Sequence, residues 1–206
     1  MPPSWAEIDR WLMGEAWVGS RIDAHLSVLC EQIGVRWAGS DGEQKAAEYI
    51  ANQLAELNVA APRLEPFTLQ TSDCQSAVLR LVGTEEWEID VRPSLFCQSL
   101  SCTASLCDAG YGMPHEILAR REALAGAVAL LDVGLEPFSD PLPVSHRLRD
   151  LAAAGVRAVI SCAPQPGRQL THTSGADWRT GDLHGAALPL LQTSQEDGAR
   201  LRRCAA

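Results

Sequence analysis

Cys97, Cys102 and Cys107 recur every five residues, and three thiols so close together are the first residues to test for metal chemistry. Thiolate sites for zinc and iron-sulfur clusters bring two ligands together as C-x₂-C or a close relative of it, a spacing this run does not have. The three cysteines are therefore expected to be small buried hydrophobes, the common state of a free thiol. A second set, His172, Asp177 and His184, could offer nitrogen and oxygen ligands to a divalent metal. Polar residues scattered along a loop are more simply read as solvated. A third chemistry, nucleophilic hydrolysis, would pair Cys102 or Ser174 with a histidine, but the sequence has no G-x-S-x-G turn to present the nucleophile. A fourth would use the glycine-rich run Ile33-Gly-Val-Arg-Trp-Ala-Gly-Ser-Asp-Gly-Glu43 as a phosphate cradle at a helix start. It matches neither G-x-G-x-x-G nor G-x-x-x-x-G-K-[ST], and no strong strand precedes it.

Composition narrows the field further. The formal charge is -9 and there is no basic run, so a surface that tracks nucleic-acid phosphates is not expected. The N-terminal residues lack both a positive start and an apolar core of about 7–15 residues, and no apolar stretch of about 18 residues follows. The expectation is a soluble, cytoplasmic protein without a membrane partner. Seven cysteines, an odd number, fit reduced thiols better than a disulfide framework.

The elements that would position any site centre on residues 127–160. Ala127-Val-Ala-Leu-Leu-Asp-Val133 and Val156-Arg-Ala-Val-Ile160 are short continuous apolar runs, the pattern of strands buried on both faces. Between them Leu148, Leu151 and Ala152 share one face of a helix, with Arg147, Arg149 and Asp150 off it, and Gly155 stands at its C-terminal cap. Strand, helix and strand predict a parallel pair with a right-handed crossover. Upstream, Ser4 with Glu7 forms a capping box for a helix bearing Trp5, Ile8, Trp11 and Leu12, a face expected to dock on the chain or on another copy. Ser20 and Asp23 open a second helix with Ile22, Leu26, Leu29 and Ile33. Ser40 and Glu43 open a third through Leu57, with Ala47, Ile50, Leu54 and Leu57 on one stripe.

From Arg63 the period becomes two, predicting a strand near Leu64, Phe67 and Leu69 and a hairpin of Ala77–Val82 with Trp87–Val91 around Gly83-Thr84-Glu85. Thr103–Cys107 reads as a further strand, Pro114 as the first position of a helix over His115–Leu124, and Ala163–Gly185 as a long loop. Leu188–Gln192 is a last strand, and Ser194 with Asp197 caps a terminal helix. The fold class is α/β. Residues 1–70 form a helical part with one or two strands, and residues 71–206 a β-rich domain containing the crossover.

Two segments resemble the di-zinc aminopeptidase family, which includes the plasma glutamate carboxypeptidase type. Between His25 and Gln70, Arg36-Trp-Ala-Gly-Ser40, Ala46-Ala-Glu-Tyr-Ile50 and Glu65-Pro-Phe67 are similar to the start of that family's catalytic domain. From Thr103 to about Arg203, Gly110-Tyr-Gly112, Gly126–Leu131, Leu151–Ile160, Leu188-Pro-Leu190 and Glu196-Asp-Gly198 resemble the protease-associated domain inserted in many members. The resemblance implies a peptide hydrolase that uses two zinc ions, with the inserted domain shaping substrate access or assembly.

It also implies residues that this sequence lacks. The family's ligands begin with His-x-Asp, and none of His25, His115, His146, His172 or His184 opens one. The family's Glu-Glu pair, one member of which is the general base, has no counterpart in context, because Glu85-Glu86 falls in the expected hairpin turn. Two-metal hydrolysis needs convergent ligands holding ions about 3.5–4 Å apart. No catalytic, cofactor-binding or metal-binding residue is therefore expected here. The leading expectation is a non-catalytic portion of such a peptidase, whose partners are a peptide substrate or the catalytic remainder, with a homo-oligomer through the first helix. The alternative is a stand-alone module that binds peptide or protein.

Overall fold

The computed structural model describes residues 3–57, 61–83, 86–134, 136–140, 142–171 and 188–205. They form two compact units, Met1–Thr71 and Ser72–Ala206.

The first unit is helical. Helix α1 (Trp5–Trp17) carries the expected capping box, in which the Ser4 amide donates to the Glu7 carboxylate at 2.7 Å and the Ser4 hydroxyl accepts from the Glu7 amide at 3.4 Å. It has no buried residue, and Trp5, Trp11 and Trp17 are exposed. Helix α2 (Ile22–Leu26) follows; Arg21 holds its N-cap position without a side-chain bond, and the Ser20 hydroxyl accepts from the Ile22 amide at 3.3 Å. At Ser27 the backbone widens into a π-helical stretch, Ser27–Ile33, where a continuous α-helix was expected. The Arg36 guanidinium donates to the carbonyls of Leu29 and Gly34, at the end of the stretch where the Gly34 amide also donates to Leu29 at 3.2 Å. Helix α3 (Asp41–Glu56) begins at Ser40, whose hydroxyl accepts from the Glu43 amide at 3.3 Å. The Glu43 carboxylate in turn accepts from the Gly39 amide at 2.5 Å. An acid thus stands where a phosphate cradle would need its anion. His25 Nδ1 lies 2.7 Å from the Tyr49 hydroxyl, joining α2 to α3. The strand expected around Leu64–Leu69 is absent from the described residues of this unit. An extended segment becomes a strand only beside a partner, and the unit offers none.

The second unit is built on a five-stranded sheet in the order β3-β7-β6-β5-β4. Strands β4 (Leu106–Asp108), β5 (Val128–Asp132), β6 (Ala158–Cys162) and β7 (Leu190–Thr193) are parallel, and β3 (Val91–Pro93) closes the edge antiparallel to β7. The expected hairpin forms from β1 (Leu79–Leu81) and β2 (Trp87–Ile89). Val91 leaves it, however, for the main sheet. The helix expected over 115–124 breaks at Arg120 into α4 (Pro114–Ala119) and α5 (Arg121–Leu124). The crossover is as expected: β5, helix α6 (Val144–Ala153), then β6 in parallel register, Leu131 opposite Ser161. Gly155, at φ 87°, makes the left-handed turn that ends α6.

Because successive strand residues point to opposite faces, β5 divides its side chains between two cores. Ala129 and Leu131 pack with Ile117, Leu124, Leu148 and Leu151 of α4 to α6. Leu130 packs with Ile160, Ile89 and Leu201, the last from α7 (Gln195–Cys204). Helices lie on both faces of the sheet, so this unit is layered α/β and holds the strands of both sheets. Leu131→Asp should therefore unfold the second unit, since an unpaired carboxylate at a fully buried position costs several kcal/mol. A soluble Leu131→Asp protein with an unchanged melting transition would contradict a central β5.

Candidate functional site

In parallel α/β sheets the C-terminal ends of the strands are where ligands bind. Here that edge brings together the turn after β4, the turn after β5 and the start of α6. Its organising side chain is Arg147, which the helical wheel puts off the apolar face of α6 but which is only 6% exposed. Its Nη1 donates to the carbonyls of Tyr111 (2.9 Å), Asp132 (3.2 Å) and Gly134 (3.3 Å), and Nη2 donates to that of Val133 (3.2 Å). Nε has no partner. Burial lowers the guanidinium's pKa, against the pull of Asp132 and Glu116. The group remains charged at neutral pH, because arginine starts so far above it.

Arg147, Met113, Val133, Glu136, Asp140 and Leu142 line a cleft of about 180 Å³ at this edge. Glu136 Oε1 is 3.3 Å from His115 Nε2 at the rim. Asp132 Oδ1 accepts from the Gly134 amide at 2.9 Å, and Asp108 Oδ1 accepts from the Gly110 amide at 3.1 Å. Asp108 Oδ2 also meets Arg202 Nε at 3.0 Å. Asp108, Asp132 and Glu136 are thus committed to turns and ion pairs.

The thiols do not form a site. Cys107 is buried as expected, but Cys97 is partly exposed and Cys102 exposed, because only Cys107 falls within a strand, β4. Cys162, on β6, is also buried, and burial pushes its thiol up to about 11, so it is not a thiolate at neutral pH. The two-ion chemistry implied by the family resemblance needs a cluster of His, Asp and Glu. His25 is engaged with Tyr49, His115 with Glu136, and His146 is exposed. Among the described residues no three His, Cys, Asp or Glu side chains are placed to hold a metal, and these residues do not fit a zinc pair. His172, Ser174, Asp177 and His184 lie outside the described residues, as does Glu85. No helix of the described residues is long and apolar enough to cross a membrane.

No family model matches the sequence, and no curated protein does. Solved structures do match in fold. A zinc aminopeptidase from Bacillus subtilis superposes with a TM-score of 0.58 at 21% identity, covering 87% of this chain and 40% of its own. An aminopeptidase from Aneurinibacillus sp. strain AM-1 gives 0.53 at 19%, with 88% and 40% covered. A peptidase M28 precursor from Shewanella amazonensis SB2B gives 0.57 at 16%, with 96% and 47% covered. The chain spans less than half the length of each. At these identities the likeness is one of fold.

Sequence reading missed Arg147 as a site-forming residue. Its one signal was position: a long cation one residue before Leu148, in the first turn after a proline-rich loop. Arg147→Met should cost about 3 kcal/mol or more in urea denaturation, since it leaves four carbonyls at a buried turn without donors. Arg149→Met, on the exposed side of α6, should stay within about 0.5 kcal/mol of the parent protein. Equal effects from the two would mean that the carbonyl contacts carry no stability.

Proposed function

We propose that this chain is a non-catalytic portion of a zinc metallopeptidase, an aminopeptidase- or carboxypeptidase-type hydrolase of peptides. Residues 72–206 would act as its protease-associated domain, shaping substrate access or assembly. One observation carries this reading: a peptidase-like fold extends over 87–96% of the chain, yet the sequence contains no His-x-Asp and no Glu-Glu pair in the family's context. The two zinc ions and the general base belong, on this reading, to residues other than these 206. The chain itself takes no cofactor and, alone, does not hydrolyse peptides. Its partners are a peptide or the catalytic portion, not nucleic acid or a membrane, and its reduced thiols suit the cytoplasm.

The cleft beside Arg147 supports an access role more than a catalytic one. Of the carboxylates that line it, Glu136 is paired with His115, whereas a general base must be free to take a proton within about 3 Å of its donor. The purified chain is expected to show no turnover of aminoacyl-nitroanilides or dipeptides above buffer, with or without added zinc. Turnover that rises with zinc and disappears with a chelator would overturn the reading.

A further inference from the structure

Beyond the Arg147 cleft, the same edge of the sheet is crossed at β7 by residues 164–171. This segment leaves the end of β6, where the Ala163 amide donates to the Thr193 carbonyl at 2.9 Å, and it is tied down along its length. The Gln195 side chain donates to the Pro164 carbonyl at 3.0 Å, and Arg92 Nη1 of β3 donates to that of Leu170 at 3.2 Å. The Thr171 hydroxyl donates to Gln192 Oε1 at 2.9 Å. Between these ties, Gly167 (φ 93°) and Arg168 (φ 53°) are both left-handed. Their amides converge on Glu196 of α7 and donate to its two carboxylate oxygens at 2.7 and 3.1 Å. Successive amides turned to one side make a concavity that holds an anion, and here the protein supplies the anion itself.

We propose that residues 164–171 are a strap latched across the end of β7 by Glu196, and that breaking this latch opens the strap while the sheet stays folded. Residues 164–169 are exposed, so hydrogen bonds rather than burial hold the segment, which is the condition for local opening. Glu196 contributes the two charge-assisted bonds among them, roughly twice as strong as neutral ones, and it stabilises the left-handed Arg168, a conformation that a residue with a side chain keeps only when its surroundings impose it. The strap ends on Gln192, which is 1% exposed and whose Nε2 has no partner among the described residues. Gln192 stands in register with Ser161 on one side and Arg92 on the other. Opening releases its Oε1 from Thr171 and presents a polar row at the strand ends, where parallel sheets bind ligands. Acid acts on the same latch. The amides of Gly167, Glu196 and Arg168 hold the Glu196 carboxyl below its ordinary value, and the Arg168 charge adds to them. Of the other charged groups nearby, Arg200 lies over the Trp87 ring at 3.8 Å, Arg92 is bonded to Leu170, and the Asp197 carboxylate accepts from the Ser194 hydroxyl. Because latching lowers the value, the hold is complete above the ordinary carboxylate range and is lost as pH falls through the lowered one.

Trypsin cuts after arginine, so the Arg168–Gln169 bond reports the open strap in the full chain, its cleavage rate following the open population. Glu196→Ala is expected to speed this cut on the order of tenfold through the loss of two charge-assisted bonds, with the melting of the second unit unchanged. Gly167→Ala strains the same left-handed turn from the strap side and leaves α7 intact, and it should speed the cut by a similar factor. Glu196→Gln keeps one carboxyl-type oxygen and should fall between the parent and Glu196→Ala. In amide NMR spectra the Gly167 and Arg168 signals should move together on acidification, with a midpoint below the ordinary glutamate value, and this shared titration should vanish in Glu196→Gln. A parent cut after Arg168 as fast as a free peptide of residues 164–171 would overturn the inference. So would a Glu196→Ala protein cut at the parent's rate, acceleration by Glu196→Ala but not by Gly167→Ala, which would place the effect in α7, or amide signals that do not titrate. None of these outcomes involves peptide turnover, so the strap and the proposed function stand or fall separately.

Discussion

Strand β5 has no polar face, and that constraint organises the second unit. Ala129 and Leu131 are fully buried on one side and Leu130 on the other, so water must be kept from both. Helices α4 to α6 cover the first side, and α7 with the β1-β2 hairpin covers the second. The cover is close. A Cβ added at Gly198 of α7 would collide with the Cys162 side chain of β6, so glycine there sets how near the helix can lie. Where the strand ends, its last carbonyls leave the ladder, and Arg147 supplies their donors. The buried guanidinium is therefore a product of the same constraint: a turn that cannot reach water needs donors from within the protein.

What the sequence made legible follows from how local each signal is. Ser4, Ser40 and Ser194 cap their helices as their spacing to Glu7, Glu43 and Asp197 implies, because both partners lie within four residues. The parallel pair β5-β6 was legible because both strands are continuous apolar runs around one amphipathic helix. The destination of Val91–Pro93 was not, since its partner β7 lies far along the chain. Nor was the burial of Arg147, because helical periodicity sorts residues by polarity and cannot see a carbonyl turn waiting above the helix. The missing strand at 64–69 shows the same limit: alternation marks a surface fit for pairing, while pairing itself needs a neighbour. For the candidate site, the missing ligand motif was legible, but the cleft at the strand ends was not, because its residues come from two separate turns and the start of α6.

The two units differ in kind. The second buries leucine and valine side chains from every central strand. In the first, among described residues, Ala46 is the one buried hydrophobic, and the helices are joined by polar ties such as His25 with Tyr49. Free energies of local opening follow buried apolar contact, so hydrogen exchange should grade sharply between them, slow in β5 and β6 and fast throughout α1 to α3.

The position of β3 at the far edge of the sheet bears on how the protein is made. Strands β4, β5, β6 and β7 lie side by side in the order in which a ribosome would deliver them, so each can add to a sheet already begun. β3 is delivered first and is placed last: Asp90 waits for Thr193, 103 residues later, to close its edge with a 3.1 Å hydrogen bond. At about 5–20 residues per second, the interval is roughly 5–20 s. During it the strand is a bare template for pairing with a neighbouring nascent chain. Its brevity and Pro93, which lacks an amide hydrogen, are what make that wait tolerable.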